Sequence, residues 1–151
     1  MIDLQKIGRD NYERVYDLRV TKDQRRFVAP NSWSLAEAAY GGNEMHPLVI
    51  CADSEPVGFL MYGFYPAADD YPEDGWWLAQ LMIDEHFQGH GFARTALRMM
   101  LKQLHAQRPE LNELLAALDP RNAAAIHVYE SVGFEKTDRT TGGSDVYILF
   151  L

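Results

Sequence analysis

Residues 84–97, DEHFQGHGFARTAL, place the small residues Gly89, Gly91 and Ala93 between an apolar run and a run with helical spacing. Glycine loses more backbone freedom on folding than any other residue, so two glycines at this position need a reason. The first amide groups of a helix have no partner inside the helix, and the helix dipole adds about half a positive charge there. Because glycines also let an anion approach the main chain, the pattern predicts a phosphate-binding turn.

Two common phosphate-binding loops do not fit these residues. The dinucleotide fingerprint requires G-x-G-x-x-G, whereas GHGFAR carries Arg94 in the last position, and no suitable acid ends a second strand. The P-loop requires G-K-[ST], which is absent from the chain. The pattern that remains is Q-x-x-G-x-A, at residues 88–93.

This pattern resembles the acetyl-CoA loop, [RQ]-x-x-G-x-[GA], of the GNAT superfamily of N-acetyltransferases. A second segment, NAAAIHVYESVGF at residues 122–134, resembles the superfamily's N-x-x-A-x-x-x-Y-x-x-x-G-F segment. The run DQRRFVAPNSWSLAEA, residues 23–38, resembles bacterial members usually described as spermidine/spermine or diamine acetyltransferases. The resemblance implies that residues 1–151 form a single GNAT domain.

The resemblance also implies that acetyl-CoA is the cosubstrate and that backbone N–H groups of residues 88–94 hold its diphosphate. The strand before the loop is expected to be distorted, so that the pantetheine arm inserts between it and strand 112–118. The cofactor-binding residues implied by the two motifs and this strand are Leu81, Met82, Ile83, Gln88, Gly89, His90, Gly91, Phe92, Ala93, Arg94, Asn122, Ala125 and Tyr129.

Two residues receive catalytic roles from the resemblance. The Leu81 N–H is expected to polarise the thioester carbonyl, and the Tyr129 hydroxyl is expected to protonate the departing CoA thiolate. A phenol with a pKa of about 10 keeps its proton at neutral pH. Related members often carry an acid in the strand before the loop, but residues 77–80 read WLAQ. Removal of the amine proton by ordered water is therefore the expectation. A water chain to an acid, or a tyrosine relay, stays open as the alternative; the candidates are Asp69, Asp70, Glu73, Asp74, Glu37, Tyr62 and Tyr65.

Charge is distributed unevenly along the chain. Residues 27–93 contain ten acids and no Lys or Arg, in a protein with a net charge of −8. Composition alone leaves two interpretations open, a solvated acidic face or a negative potential that attracts a cationic substrate. Together with the resemblance, the pattern favours a primary amine acceptor, a small polyamine such as spermidine or spermine. The candidate acceptor-binding residues are Glu37, Tyr65, Asp70, Glu73 and Trp77.

Two other functions stay open at this point. One is a GNAT enzyme for another amine, such as an amino acid, an antibiotic or a protein N-terminus. The other is a non-catalytic module that binds acetyl-CoA, and the presence of both Tyr129 and Asn122 argues against it.

Composition and local sequence exclude several functional classes. The net charge of −8 argues against nucleic acid as the partner, and no apolar run reaches the roughly 18 residues of a membrane span. No basic-then-apolar signal pattern opens the chain, and Cys51 lies in an apolar run that predicts a buried, inert thiol. We expect a cytoplasmic protein with no metal site. The apolar run 145–151 is expected to form a sheet edge that pairs with a second subunit in a possible homodimer.

The hydrophobic pattern predicts a mixed α/β (α+β) fold, with a mostly antiparallel sheet of about seven strands and about four flanking helices. This agrees with the acyl-CoA N-acyltransferase fold that the resemblance implies. Helices are predicted over 10–27 with Asp10 as cap, over 31–40 with Ser32 or Ser34 as cap, after Gly91, and over 121–133. Strands are predicted at 1–7, in two runs within 46–66, and at 75–84, 112–119, 134–140 and 145–151.

Overall fold

The computed structural model describes all residues of the chain, 1–151. It contains one seven-stranded sheet, four α-helices and a short 3₁₀ turn. In chain order the elements are β1 (Ile2–Lys6), α1 (Tyr12–Asp17), the 3₁₀ turn (Lys22–Gln24), α2 (Asn31–Tyr40), β2 (Met45–Ala52), β3 (Glu55–Tyr65), β4 (Gly75–Ile83), α3 (Phe92–Gln107), β5 (Glu113–Leu118), α4 (Ala123–Ser131), β6 (Glu135–Thr141) and β7 (Ser144–Phe150).

The strands lie across the sheet in the order β1-β2-β3-β4-β5-β7-β6. Every neighbouring pair is antiparallel except β4 and β5, which are parallel. Parallel neighbours need a crossover connection, and α3 supplies it. The predicted mixed, mostly antiparallel sheet with flanking helices is confirmed.

β4 and β5 diverge after a single aligned pair, Trp77 opposite Leu115. β4 also carries a bulge, because Ala79 has no partner on β3 while the residues on both sides of it do. A bulge increases the local twist and bends the strand that carries it. The predicted distortion of β4 is thus confirmed. It leaves the β5-facing edge of β4 without a strand partner beyond Trp77.

Helices cover both faces of the sheet. Successive residues of β3 point to opposite faces, and Phe59 and Leu60 accordingly belong to different core clusters. Leu60 packs in the cluster that contains Leu97 of α3 and Tyr129 of α4. Phe59 packs in the cluster that contains Val15 of α1. The sheet is therefore the middle of three layers, with α3 and α4 on one face and α1 and α2 on the other.

The predicted helix over 10–27 is wrong. α1 ends at Asp17, and the chain then runs along the end of β4 before it enters the 3₁₀ turn. The Arg19 N–H donates to the buried Asp84 carboxylate at 2.9 Å, and the Glu85 N–H donates to the Arg19 carbonyl at 2.8 Å. A continuous helix would use these Arg19 groups internally, so pairing with the end of β4 breaks the helix.

The predicted helix caps are also wrong. The residue before α1 is Asn11 and the residue before α2 is Pro30, so Asp10, Ser32 and Ser34 cap neither helix. Proline fixes φ close to the helical value and is well tolerated where a helix begins. Pro30 has a φ of −56°, and α2 starts behind it without a side-chain cap.

β7 lies inside the sheet, with β5 on one side and β6 on the other. The prediction that residues 145–151 offer a free edge to a second subunit is therefore wrong. The sheet edges are β1 and β6, and β6 reads EKTDRTT. Charged residues on an edge strand disfavour edge-to-edge pairing. The homodimer stays a prediction, and β7 does not support it.

Asn31 joins the helices of one face to the central strand. Its side chain is buried, with 4% exposure, and its amide nitrogen donates to the Val15 carbonyl at 2.9 Å. Its carbonyl oxygen accepts from the Gln80 amide at 3.4 Å, and Gln80 also donates to the Ala29 carbonyl at 2.8 Å. One buried amide network therefore fixes α1, the start of α2 and β4 relative to one another.

We expect Asn31→Ala to lower the free energy of unfolding by about 1–3 kcal/mol, because it leaves buried partners without a hydrogen bond. Urea denaturation followed by circular dichroism measures the change. Ser32→Ala, at the next position of α2, is the control and is expected to cost less than about 0.5 kcal/mol. Equal losses in the two variants would contradict the assigned role of Asn31.

Candidate active site

A cavity of about 460 Å³ opens where β4 and β5 diverge. Residues of α3, α4 and the glycine-rich turn line it from one side. All the cofactor-binding residues predicted from the sequence line this cavity except His90, whose ring lies 5.4 Å from that of Phe92. The opposite wall comes from the segment around the 3₁₀ turn, which supplies Val20, Gln24, Phe27 and Val28.

The glycine-rich turn leaves the first amide groups of α3 without a side-chain cap. Gly91 precedes the helix with a φ of 75°, and Gly89 has a φ of 84°. This left-handed backbone conformation favours glycine over other residues. A Cβ atom added at either glycine would meet no atom within 4 Å. The turn therefore presents open space and free amide groups at a helix N-terminus, which suits an anion.

The main chain of β4 faces the cavity beyond Trp77. Leu81, Met82 and Ile83 line the cavity. The Ile83 carbonyl accepts a hydrogen bond from the Gln88 side-chain amide at 2.9 Å. Since β5 has diverged here, no neighbouring strand uses this edge of β4. An extended ligand can therefore add along it through main-chain hydrogen bonds.

Tyr129 reaches the cavity from α4. Its side chain is buried, with 6% exposure, and its ring lies 5.3 Å from that of Phe134. Burial raises the pKa of the Tyr129 hydroxyl above its usual value, because the charged phenolate is poorly solvated there. Tyr129 therefore keeps its proton throughout the physiological range and can donate it within the cavity.

The side chains of Asn122 and Arg94 each form one hydrogen bond within the protein. The Asn122 side-chain oxygen accepts from the Ala125 N–H at 3.3 Å and so caps α4. Arg94 donates from Nε to the Ser131 hydroxyl at 3.0 Å, which joins α3 to α4. A guanidinium carries five N–H donors, so Arg94 keeps others for an anion in the cavity.

Glu37, Tyr65 and Trp77, predicted to bind the acceptor, lie outside this cavity. The Tyr65 hydroxyl of β3 donates to the Glu37 carboxylate of α2 at 2.9 Å. Burial, and then this hydrogen bond and the charge of Glu37, raise the pKa of Tyr65. Trp77 contacts Tyr71 edge to face, with ring centroids 4.9 Å apart.

Asp70 and Glu73, the other predicted acceptor residues, belong to the loop between β3 and β4. Arg139 donates to the Glu73 carboxylate at 2.6 Å and to the Tyr71 hydroxyl at 2.9 Å. The charge of Glu73 is thus already balanced, whereas Asp70 is exposed. The structure brings Glu37 and Tyr65 together, but it does not join the five predicted acceptor residues in one site.

Comparison with known proteins identifies the family. The sequence model described as "Acetyltransferase (GNAT) family" matches residues 12–134. The chain belongs to the GNAT family of acetyltransferases. Two relatives, from Bacillus subtilis subsp. natto (strain BEST195) and Bacillus subtilis (strain 168), are each 28% identical over 138 residues. They are named "Probable spermine N(1)-acetyltransferase" and "Spermine/spermidine N(1)-acetyltransferase", and each match covers 89% of this chain and 88% of the relative.

A solved structure agrees with this assignment at the level of the fold. Aminoglycoside acetyltransferase AAC(6')-Ib in complex with coenzyme A superposes with a TM-score of 0.77 at 17% identity. The superposition covers 99% of this chain and 95% of the other. The protein is an acetyl-CoA-dependent N-acetyltransferase of the GNAT family. A non-catalytic acetyl-CoA-binding module, the alternative left open by the sequence, is therefore set aside.

The single cysteine of this GNAT enzyme lies away from the cavity, whereas His127 of α4 is part of its lining. Cys51 is 1% exposed in the core, where burial raises the pKa of its thiol. An inert cysteine suits direct transfer to the amine without an acyl-enzyme. No group of three or more His, Cys, Asp or Glu side chains is arranged to hold a metal ion. None of the helices has the length and apolar character needed to cross a membrane.

The sequence did not reveal every residue of the GNAT site: Val20, Gln24, Phe27 and Val28 line the cavity without having been predicted, and neither were Ala79 and Ala117, beside the gap between β4 and β5. Ala79 at the bulge and Ala117 in β5 are both exposed, although each belongs to a central strand. These two alanines are exposed because β4 and β5 diverge, and nothing in the residue type alanine indicates that exposure in the sequence. Gln24 lies within the run that resembles polyamine acetyltransferases, but its contact with Gln88, 64 residues away, has no local signature.

Proposed function

We propose that this GNAT enzyme acetylates a primary amine of a small polyamine such as spermidine or spermine. The observation that carries the proposal is the 28% identity, over 89% of the chain, to two relatives named as spermine or spermine/spermidine acetyltransferases. We place the reaction in the cytoplasm, with a free amine as the partner rather than nucleic acid or a membrane.

In this proposal acetyl-CoA occupies the cavity between β4 and β5. The amides of residues 88–94 bind the diphosphate, and the main chain of Leu81 and Ile83 binds the pantetheine arm. The charge around the 3₁₀ turn supports this placement, because the segment around Gln24, which lines the cavity, carries one acid, Asp23, against three bases, Lys22, Arg25 and Arg26. Their positive charges favour the approach of an anionic cosubstrate.

Tyr129 supplies the acid and the Leu81 N–H stabilises the developing oxyanion. The amine nitrogen attacks the carbonyl carbon of the thioester, and the carbon–sulfur bond breaks. Tyr129 gives its proton to the sulfur, the proton released by the amine passes to water, and solvent returns a proton to Tyr129. Ordered water remains the proposed base, because Gln80 occupies β4 next to the bulge and uses its amide to hold Ala29.

The acceptor is proposed to enter from the face that carries α1 and α2. Ala117 lies two residues along β5 from Leu115, so the two side chains share a face, on which Leu115 packs against Tyr71 and Trp77. Ala79 is exposed on the neighbouring strand. Two methyl side chains leave room beside the unpaired edge of β4, so an amine can approach from the side opposite α3 and α4.

Contacts for an ammonium group exist on the same face. Tyr65 and Trp77 lie on neighbouring strands opposite Gly75 and Gly63, which carry no side chain. Met45 of β2 lies over Gly63, and Tyr71 packs edge to face on Trp77. The Glu37 carboxylate lies at the Tyr65 end. An aromatic face together with a carboxylate is a favourable site for an alkylammonium group.

A panel of amines tests the acceptor. We expect spermidine and spermine to be acetylated with a kcat/KM at least about tenfold above that of an alkyl primary amine that carries no second amino group. This is a difference of about 1.4 kcal/mol in transition-state binding. Thiol release measures the rates. We expect Glu37→Gln to raise KM for spermidine about threefold to tenfold and to leave the other amine unaffected. Glu55→Gln, at the exposed first residue of β3, is the control.

The panel also includes an aminoglycoside, because an aminoglycoside acetyltransferase shares the fold. If the aminoglycoside or the alkyl amine were acetylated and neither spermidine nor spermine were, the polyamine acceptor would be contradicted. The acetyltransferase activity itself would still stand.

A further inference from the structure

Gln24 of the 3₁₀ turn and Gln88 of the glycine-rich turn form a reciprocal pair of amide hydrogen bonds. The Gln88 nitrogen donates to the Gln24 oxygen at 2.8 Å, and the Gln24 nitrogen donates to the Gln88 oxygen at 3.2 Å. The two residues are 64 positions apart, and both line the cavity of about 460 Å³. The pair therefore links opposite walls of the cavity.

Each amide also holds a main-chain group of its own segment. The Gln24 oxygen accepts from the Thr21 N–H at 3.2 Å, at the start of the 3₁₀ turn. The Gln88 nitrogen donates to the Ile83 carbonyl at 2.9 Å, at the end of β4. Four residues from two segments of the chain, 21–24 and 83–88, are thus joined in one series of hydrogen bonds from Thr21 to Ile83.

This arrangement restrains the residue that opens the Q-x-x-G-x-A pattern. Gly89 and Gly91 follow Gln88, and glycines leave the backbone of the turn free to adopt other conformations. The Gln88 side chain fixes one end of the turn through Ile83 and Gln24, and α3 fixes the other. Without Gln24, the Gln88 oxygen loses its donor and the turn loses its link to the opposite wall.

We propose that Gln24 is a positioning residue for the cofactor turn: through Gln88 it keeps the amide groups of the turn aimed into the cavity. This inference rests on the proposed placement of acetyl-CoA. A side chain at position 24 needs both a donor and an acceptor at the reach of glutamine, which only the glutamine amide provides here. Gln24 therefore acts on cofactor affinity and not on the chemical step.

The test compares Gln24→Met with Gln103→Met, the same change at an exposed position of α3. We expect Gln24→Met to raise the Kd of acetyl-CoA, and its KM, by about threefold to tenfold, with kcat at saturation within about twofold. Calorimetric titration with acetyl-CoA alone gives the Kd. Gln24→Asn keeps an amide but is one methylene too short, so it should resemble Gln24→Met. Gln103→Met should match the parent protein.

A double-mutant cycle with Gln88→Met shows whether Gln24 acts through Gln88. Gln88→Met alone should weaken binding at least as much as Gln24→Met, and the double variant should lose no more than Gln88→Met. Additive losses, or a lower melting temperature with an unchanged Kd, would overturn the inference. Because these titrations contain no amine, the result does not depend on the acceptor. If acetyl-CoA bound elsewhere, changes at Gly91 would also leave the Kd unaltered.

Discussion

Replacing Tyr129 by phenylalanine is expected to lower kcat for amine acetylation by about 100- to 1,000-fold, the lower part of the range of about 100- to 10,000-fold that a general acid contributes. The KM for acetyl-CoA should change by less than about threefold, because the lost hydroxyl acts in the transition state. Phenylalanine fills nearly the same volume, so the packing of the ring against Phe134 is retained. Steady-state kinetics with saturating acetyl-CoA measure the effect.

Tyr147→Phe is the matched control for this prediction. Tyr147 is also buried, with 4% exposure, and belongs to the same core cluster as Tyr129, but it does not line the cavity. Its loss should change stability and leave kcat within about twofold. A kcat for Tyr129→Phe close to that of Tyr147→Phe would mean that the leaving thiolate takes its proton from another donor.

Replacing Gly91 by valine is expected to raise the Kd of acetyl-CoA by about 50- to 100-fold, equivalent to more than about 2 kcal/mol. Gly91 has a φ of 75°, so any side chain there strains the backbone of the turn. The added side chain would also occupy open space at the turn, where a Cβ atom meets no other atom within 4 Å. Both effects displace an anion from the helix N-terminus, and calorimetric titration measures the loss.

Gly143→Val is the control that separates a general loss of stability from a local effect at the glycine-rich turn. Gly143 lies in the turn between β6 and β7 with a φ of 83°, and a Cβ there also meets no atom within 4 Å. Both valine variants should therefore lower the melting temperature, and only Gly91→Val should weaken acetyl-CoA binding. Equal affinities in the two variants would place the diphosphate away from the glycine-rich turn.

The order of elements and the cofactor cavity could be predicted because their signals are local. The glycine-rich turn, the helical spacing after Gly91 and the second motif around Tyr129 each lie within one short stretch. In the folded chain, all the cofactor-binding residues that the family resemblance implied, except His90, line one cavity. The divergence of β4 and β5 was expected from the resemblance to the family and not from residue types alone.

The failures have a common physical cause. The helix predicted over 10–27 breaks at Arg19 because Asp84, at the end of β4, competes for its backbone N–H. β7 looks like a free apolar edge, but it fills the gap between β5 and β6. Glu73 is an unpaired acid as far as its local sequence shows, but in the folded chain Arg139 donates a hydrogen bond to its carboxylate. In each case the deciding partner is distant in the sequence or on another strand. Asp84 lies 65 residues from Arg19, Arg139 lies 66 residues from Glu73, and β6 covers the outer side of β7.

The interior position of β7 has a consequence for biosynthesis. β5 leads into α4, which lines part of the cavity, and β7 pairs with β5 along its whole length. β7 is the last strand of the sheet to be synthesised. Until it is available, one edge of β5 lacks its hydrogen-bonding partner, and β6 has no strand with which to pair. The sheet that supports the cofactor pocket can therefore be completed only after β7 has been synthesised, although every residue that lines the pocket precedes β7 in the chain.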